Sequence, residues 1–156
     1  LEMTYNALEL ALQTLQQAKA QLQRRFAPRI TQQARELFAR LTGGRYDRLL
    51  LGEDLSVSAG AQDEDTLRSG LWRSDGTADQ LYLAVRLAIC DMVLPEDKSA
   101  PLILDDALLS FDEDRLHAAL DYLVEESKKR QILLFSCQKR EQEYLEGREN
   151  VTLLTL

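Results

Sequence analysis

Pro101-Leu102-Ile103-Leu104-Asp105-Asp106 is a short, unbroken apolar run that stops at two acids. A strand buried on both faces reads this way, because it lacks the polar alternation that a solvated face imposes. A second such run, Ile132-Leu133-Leu134-Phe135, follows a segment in which Leu116, Ala119, Leu120, Leu123 and Val124 recur at helical spacing behind the capping residue Asp112. Upstream, Leu81, Val85, Ala88, Ile89 and Met92 form one stripe, which predicts a helix over 77–94 that is buried on one side and ends before Pro95. Strands alternating with helices predict an α/β domain with a mainly parallel sheet, and 151–156 supplies a last strand to close it.

Nearer the N-terminus the period changes. Residues 48–51 and 55–59 alternate every second position and predict strands joined through Gly52-Glu53-Asp54, followed by an exposed acidic loop over 60–65. Ile30, Ala34, Leu37, Phe38 and Leu41 mark an amphipathic helix that stops at Thr42-Gly43-Gly44, where glycine takes the left-handed cap. Before it, Leu8, Leu12, Leu15, Leu22 and Phe26 lie four and three apart, with only Lys19 out of register, and Pro28 interrupts the helix. That seam predicts a coiled-coil strand over 1–27; an amphipathic helix lying on its own domain reads the same way. No internal repeat or low-complexity segment is present.

Length and composition bound the rest. At 156 residues, 45% hydrophobic and 29% charged, the chain is one globular domain rather than a disordered tail or a fibrous rod. No apolar run approaches the roughly 20 residues of a membrane span, and Leu1-Glu2-Met3 carries no export leader, so a cytoplasmic protein without membrane contact is expected. A start on Leu1 reads as an excised piece of a longer chain, with Leu1-Glu2 a cloning remnant. Cys90, Cys137 and the single His117 cannot assemble a disulfide framework or a zinc site, and both thiols are expected to be reduced core residues. Nineteen Lys plus Arg against 26 Asp plus Glu give a net charge of −7, which opposes any broad phosphate-tracking surface. Two small basic clusters, Lys128-Lys129-Arg130 and Arg24-Arg25 with Arg29, are the candidates for a DNA patch.

Two groups of residues carry chemistry. Asp105 and Asp106 end a buried strand, with Asp112 past the 107–111 loop, at the sheet edge where open α/β folds bind ligands. Magnesium is commonly held by one or two carboxylates plus substrate phosphates, so Asp105 suits the metal and Asp106 a water-positioning base; solvated acids beside a helix cap give the same pattern. Ser74-Asp75-Gly76-Thr77 opens the long helix, where free backbone N–H groups, a glycine and hydroxyls make either an anion pocket or a plain N-cap. A receiver-type phosphoacceptor would need a further acid and a lysine ending other strands, and Ser136-Cys137-Gln138 offers neither.

Taken together, these pieces resemble a family. The stretch Ser74-Asp75-Gly76-Thr77-Ala78-Asp79-Gln80-Leu81-Tyr82-Leu83-Ala84 is similar to the ABC signature motif as it occurs in SMC-like coiled-coil ATPases of the SbcC, RecN and YhaN type. Leu102-Ile103-Leu104-Asp105-Asp106 resembles the Walker B strand, Leu109-Ser110-Phe111-Asp112 the D-loop, and Ile132-Leu133-Leu134-Phe135-Ser136-Cys137-Gln138 the strand leading to the switch residue. Leu41-Thr42-Gly43-Gly44-Arg45-Tyr46 resembles the entry of the returning coiled coil into the head. Asp106 stands where most ABC ATPases have glutamate, Asp75 replaces the first signature glycine, and Gln138 stands where histidine is usual. No G-x-x-x-x-G-K-[ST] occurs; the family places that phosphate-cradling loop in an N-terminal lobe.

The resemblance implies the C-terminal half of an ABC/SMC-type P-loop ATPase head, with 1–27 the end of the returning coiled coil and 28–156 the ATPase lobe. It implies Asp106 and Gln138 as catalytic, Asp105 as magnesium ligand, and Ser74, Asp75, Gly76, Thr77 and Asp112 as nucleotide-binding. ATP and Mg²⁺ would be used only with the chain's own N-terminal Walker A lobe, and this chain alone would be inactive. A second head, DNA and a nuclease subunit are the implied partners, DNA repair or chromosome maintenance the implied process, and the nucleoid the implied bacterial location. From a different class, the rival is a non-catalytic dimerisation module derived from such a head.

Overall fold

The computed structural model describes residues 2–52, 56–61, 67–69, 75–94 and 100–155. Helix α1 (Glu2–Leu41) is 40 residues long, about 60 Å at 1.5 Å per residue. It continues through Pro28 without a break in the helix, so the expected interruption is corrected. Proline deprives the Arg24 carbonyl of its helical donor. Both residues are exposed, however, so solvent serves that carbonyl, while Ile30, Ala34, Phe38 and Leu41 anchor the following turns in the core. Leu8, Leu12, Leu15 and Leu22 are exposed, leaving the heptad seam without a partner helix among the described residues.

At the end of α1, Gly44 N–H reaches back to the Ala39 carbonyl (2.7 Å), with φ of 61° at Gly43 and 83° at Gly44. Here glycine avoids the roughly 1–2 kcal/mol that a Cβ costs in left-handed backbone. The chain then enters β1 (Tyr46–Leu51), and Tyr46 stacks on Phe38 at 5.3 Å. Strand β1 pairs antiparallel with β2 (Val57–Ala61), which pairs with the short β3 (Arg68–Ser69). Gly60 and Ala61 belong to β2, and Gly60 is buried opposite Arg48, so the exposed loop expected over 60–65 is corrected at its start; 62–65 lie outside the described residues.

Helix α2 (Asp75–Val93) packs on α1, and its buried face, which includes Leu81, Ala84, Val85 and Ala88, is wide, since among its described side chains only Asp79, Tyr82, Arg86 and Val93 are exposed. Gln80 is fully buried, and its amide donates to the Leu41 carbonyl (2.7 Å), fixing the start of α2 against the end of α1. Strand β4 (Leu102–Asp105) pairs in parallel with β5 (Ile132–Phe135), Asp105 opposite Phe135, with α3 (Glu113–Glu126) as crossover and α4 (Lys139–Leu145) following.

The parallel pairing of the two apolar strands is as expected, and the N-terminal strands form a separate antiparallel sheet. Burial of β4 and β5 on both faces is corrected. Leu102, Leu104, Ile132 and Leu134 face the core, while Ile103, Leu133 and Phe135 remain 61%, 38% and 44% exposed because no described element covers that face. The last segment is corrected too. Residues 151–155 form no strand, having no ladder partner among the described residues. Neither cysteine is a core residue: Cys90 is half-buried and Cys137 is exposed just beyond β5. No described helix is long and apolar enough to cross a membrane.

Candidate functional site

The carboxyl ends of β4 and β5 lie side by side, as their parallel register requires. Asp105 is exposed and, by the two-residue period of a strand, lies on the same bare face as Ile103. Asp106 leaves the strand at φ 46°; its N–H continues the ladder to the Phe135 carbonyl (3.0 Å), and its carboxylate accepts from the Cys137 N–H (3.2 Å). Asp106 is thereby held against the segment that carries Gln138. Gln138 is half-buried at the N-cap of α4 and makes no side-chain capping bond, while its N–H donates to Ser136 Oγ (3.1 Å).

Beyond Asp106 the chain makes a tight turn, Leu109 N–H to the Asp106 carbonyl (3.3 Å) and Phe111 N–H to the Leu108 carbonyl (3.1 Å), anchored by the buried side chains of Leu108 and Phe111. Asp112 closes it and caps α3, one carboxylate oxygen accepting from the Arg115 N–H (3.0 Å) and the other pairing with Arg115 Nε (3.0 Å). The same guanidinium donates through Nη1 to Thr77 Oγ1 (3.2 Å).

That bond joins the two groups of candidate residues. Thr77 is buried with 1% exposure, and a Cβ at Gly76 would stand 2.6 Å from the Ser110 carbonyl oxygen. The glycine therefore permits close approach of the chain's own turn. Ser110 also donates its hydroxyl to Asp79 on α2. Ser74 lies outside the described residues, and of Asp75 only the backbone, which opens α2, is described. The structure thus brings Asp105, Asp106, Asp112 and Gln138 to one edge, with Gly76 and Thr77 behind the turn.

Three contributors went unseen in the sequence. Arg115 was readable only as an i+3 partner of Asp112, whereas its reach to Thr77 spans 38 residues. Arg140, which donates to carbonyls of the 107–112 turn, and the Ser110 to Asp79 bond carry no periodic signal at all. The basic cluster at 128–130 is largely engaged: Arg130 pairs with Asp91 (2.5 Å) and Glu126 (3.0 Å), and Lys129 pairs with Glu126 (3.0 Å), whose bond and charge hold the ammonium above its ordinary range. Burial, and then the Glu126 charge, raises the Asp91 carboxyl; the same two causes raise the Tyr122 phenol. Arg24, Arg25 and Arg29 stand exposed on α1.

No cluster of three or more histidine, cysteine or acidic residues able to hold a metal occurs among the described residues. One exposed carboxylate, Asp105, beside a second, Asp106, fits a hard cation that takes its remaining oxygens from phosphate and water, as magnesium does.

No protein-family model matches the chain. It is 38% identical over 112 residues to the uncharacterized protein YhaN of Bacillus subtilis (strain 168), covering 70% of this chain and 11% of that protein. Among solved structures, one from work on ATP-driven dimerization and DNA-stimulated activation of SMC ATPases superimposes with a TM-score of 0.67 at 20% identity, covering 85% of each chain. The Smc head domain of Pyrococcus furiosus, with an extended coiled coil and bound to the C-terminal domain of ScpA, gives 0.63 at 18% identity, over 90% of this chain and 35% of that one. The Smc head of Pyrococcus yayanosii with a coiled coil and joint gives 0.64 at 19% identity, over 92% and 28%. At such identities the likeness to the solved structures concerns the fold.

Proposed function

Because the chain has the fold of the C-terminal part of an SMC head with its coiled-coil helix, we propose that it supplies half of a composite ATPase site. In this reading 1–27 ends the returning coiled coil and 28–156 is the lobe that a Walker A lobe of the same protein completes. Strand β4 serves as Walker B, the turn over 107–112 as D-loop, and Gln138 as switch residue. The observation that carries the proposal is Asp106, held by the Cys137 N–H at the edge it shares with Gln138.

Asp106 would orient a water and take its proton, Gln138 would donate its amide to a γ-phosphate oxygen, and Asp105 would carry the metal. Magnesium, when bound, neutralises phosphate charge. The sequence from Ser74 to Thr77 serves as the signature motif, and the start of α2 faces nucleotide held by a second head, so that ATP joins heads and hydrolysis parts them. Asp112 acts through Arg115 on Thr77. Of the basic clusters, Arg24, Arg25 and Arg29 suit DNA better, because Lys129 and Arg130 are already paired. DNA repair or chromosome maintenance is the process such a head serves. A non-catalytic dimerisation module is the second reading, favoured by Gln138, which cannot become cationic near neutral pH as histidine does.

The test mixes this chain with its N-terminal lobe. This chain alone should not bind MgATP tightly, since its sequence has no G-x-x-x-x-G-K-[ST] loop to cradle the β- and γ-phosphates. The mixture should hydrolyse ATP, and Asp106→Asn should slow turnover by roughly 10²- to 10⁴-fold while nucleotide still binds. Parental turnover in Asp106→Asn would remove Asp106 as base; joining on ATP with no parental turnover would favour the dimerisation module.

A further inference from the structure

One side chain ties the switch segment to the turn that holds the start of α2. Arg140, in the first turn of α4 and two residues past Gln138, donates through Nη1 to the Phe111 carbonyl (2.6 Å) and through Nη2 to the carbonyls of Leu108 (3.0 Å) and Leu109 (3.0 Å). Three carbonyls of one turn converge on a single planar fork, a geometry that arginine supports and lysine does not. On its other side the same turn bonds Asp79 through Ser110 and leaves no room for a side chain at Gly76. The turn is therefore clamped between the first residues of α4 and the first residues of α2.

We infer that Arg140 is a positioning residue that transmits the placement of Gln138 to the start of α2. This rests on the proposal that the 136–140 segment senses nucleotide on its own head while the start of α2 serves the nucleotide of a second head. The path is short and continuous: Gln138, Arg140, the carbonyls of the turn, Ser110, then Asp79 with Gly76. Two links are covalent, the backbone from 138 to 140 and that of the turn into Ser110; the others are the bonds of Arg140 and the contacts of Ser110 with Asp79 and Gly76. A displacement of α4 by one ångström would move the turn, since its side chains Leu108 and Phe111 are buried and its carbonyls are the groups that α4 grips. Arg140 touches no reacting atom; it acts through the turn.

The experiment uses the head completed with its N-terminal lobe and compares Arg140→Ala, Arg140→Lys and the parental protein. Misplacement on this scale costs on the order of 10- to 100-fold in turnover. Arg140→Ala should lower kcat by about that factor, leave KM for ATP within about 2-fold, and bring the Hill coefficient for ATP to one; Arg140→Lys should recover only part of kcat. In the chain itself, amide exchange at 107–112 and over the first turn of α2 should quicken together in Arg140→Ala. Unchanged kcat and Hill coefficient overturn the inference even if thermal stability falls, because a merely structural arginine would move stability alone. Parental cooperativity retained in Arg140→Ala overturns it as well. If the parental head shows no turnover, the ATPase reading fails by itself. Exchange then decides: quickening confined to 107–112 overturns the link, and quickening that reaches α2 sustains it.

Discussion

Among the described glycines Gly76 is the most tightly placed, because a Cβ there would stand 2.6 Å from a backbone carbonyl oxygen that cannot swing away as a side chain can. Gly76→Ala is expected to cost about 1–3 kcal/mol in urea unfolding, or to push the 107–112 turn aside and quicken its amide exchange. Gln138 presents the opposite case, with a side chain that makes no capping bond. A lost hydrogen bond to a charged group is worth roughly 1.5–3 kcal/mol, on the order of 10- to 100-fold in rate. Gln138→Ala should therefore slow a completed head less than Asp106→Asn does, with Gln138→His neutral or faster, and steady-state ATPase rates of the three variants check this. At this scale the sequence made Asp105, Asp106, Asp112 and Gln138 visible, since each ends or follows a recognisable run. It concealed Arg115 reaching Thr77 and Arg140 reaching Phe111, because bonds spanning 38 and 29 residues leave no periodic trace.

Among the elements, the ends of α2 and α3 are joined by a half-buried ion network in which Arg130 holds both Asp91 and Glu126. Burial is the first cause that raises the Asp91 carboxyl above its ordinary 3.8, and the neighbouring Glu126 charge adds to it, outweighing Arg130. The folded protein thus binds that proton more tightly than the unfolded chain does. As pH rises from 3.8 through the raised folded value, the contribution of Asp91 to stability falls, and above that value it stays constant. Asp91→Asn lacks this titration, so the stability of the parental chain relative to the variant should decline across that window. Urea midpoints of the pair at a series of pH values measure it; a gap that widens with pH would mean that Arg130 dominates instead. The elements themselves were largely legible, with α2, α3, β4, β5 and the glycine cap of α1 close to their expected places. Pro28 misled because a proline on an exposed helix face costs one hydrogen bond without ending a helix whose following turns are anchored in the core by Ile30, Ala34 and Phe38.

For the molecule as a whole, the informative failure is the bare face of the β4–β5 pair. An unbroken apolar run records burial in whatever the strand finally packs against, and parallel strands are covered on both faces. Ile103, Leu133 and Phe135 are apolar yet exposed, and Asp105 shares their face. The same line accounts for 151–155, where Leu153 and Leu154 are exposed in a segment with no ladder partner among the described residues. The chain spans 11% of the length of the curated relative it matches. If the Walker A lobe covers this face, changing Ile103 and Leu133 to threonine should separate folding from assembly. Threonine keeps the strand preference of a β-branched residue, and an exposed substitution shifts stability by less than about 0.5 kcal/mol, so the isolated chain should unfold at nearly its parental urea midpoint. Binding to the N-terminal lobe should weaken by roughly 10- to 100-fold, as loss of central apolar anchors does elsewhere, with ATP turnover recovered at raised lobe concentration. Titration calorimetry of the two lobes reads the first effect and urea unfolding the second. A variant that loses stability while binding the lobe at parental strength would show that Ile103 and Leu133 pack within this chain, and the covering lobe would then have to lie elsewhere.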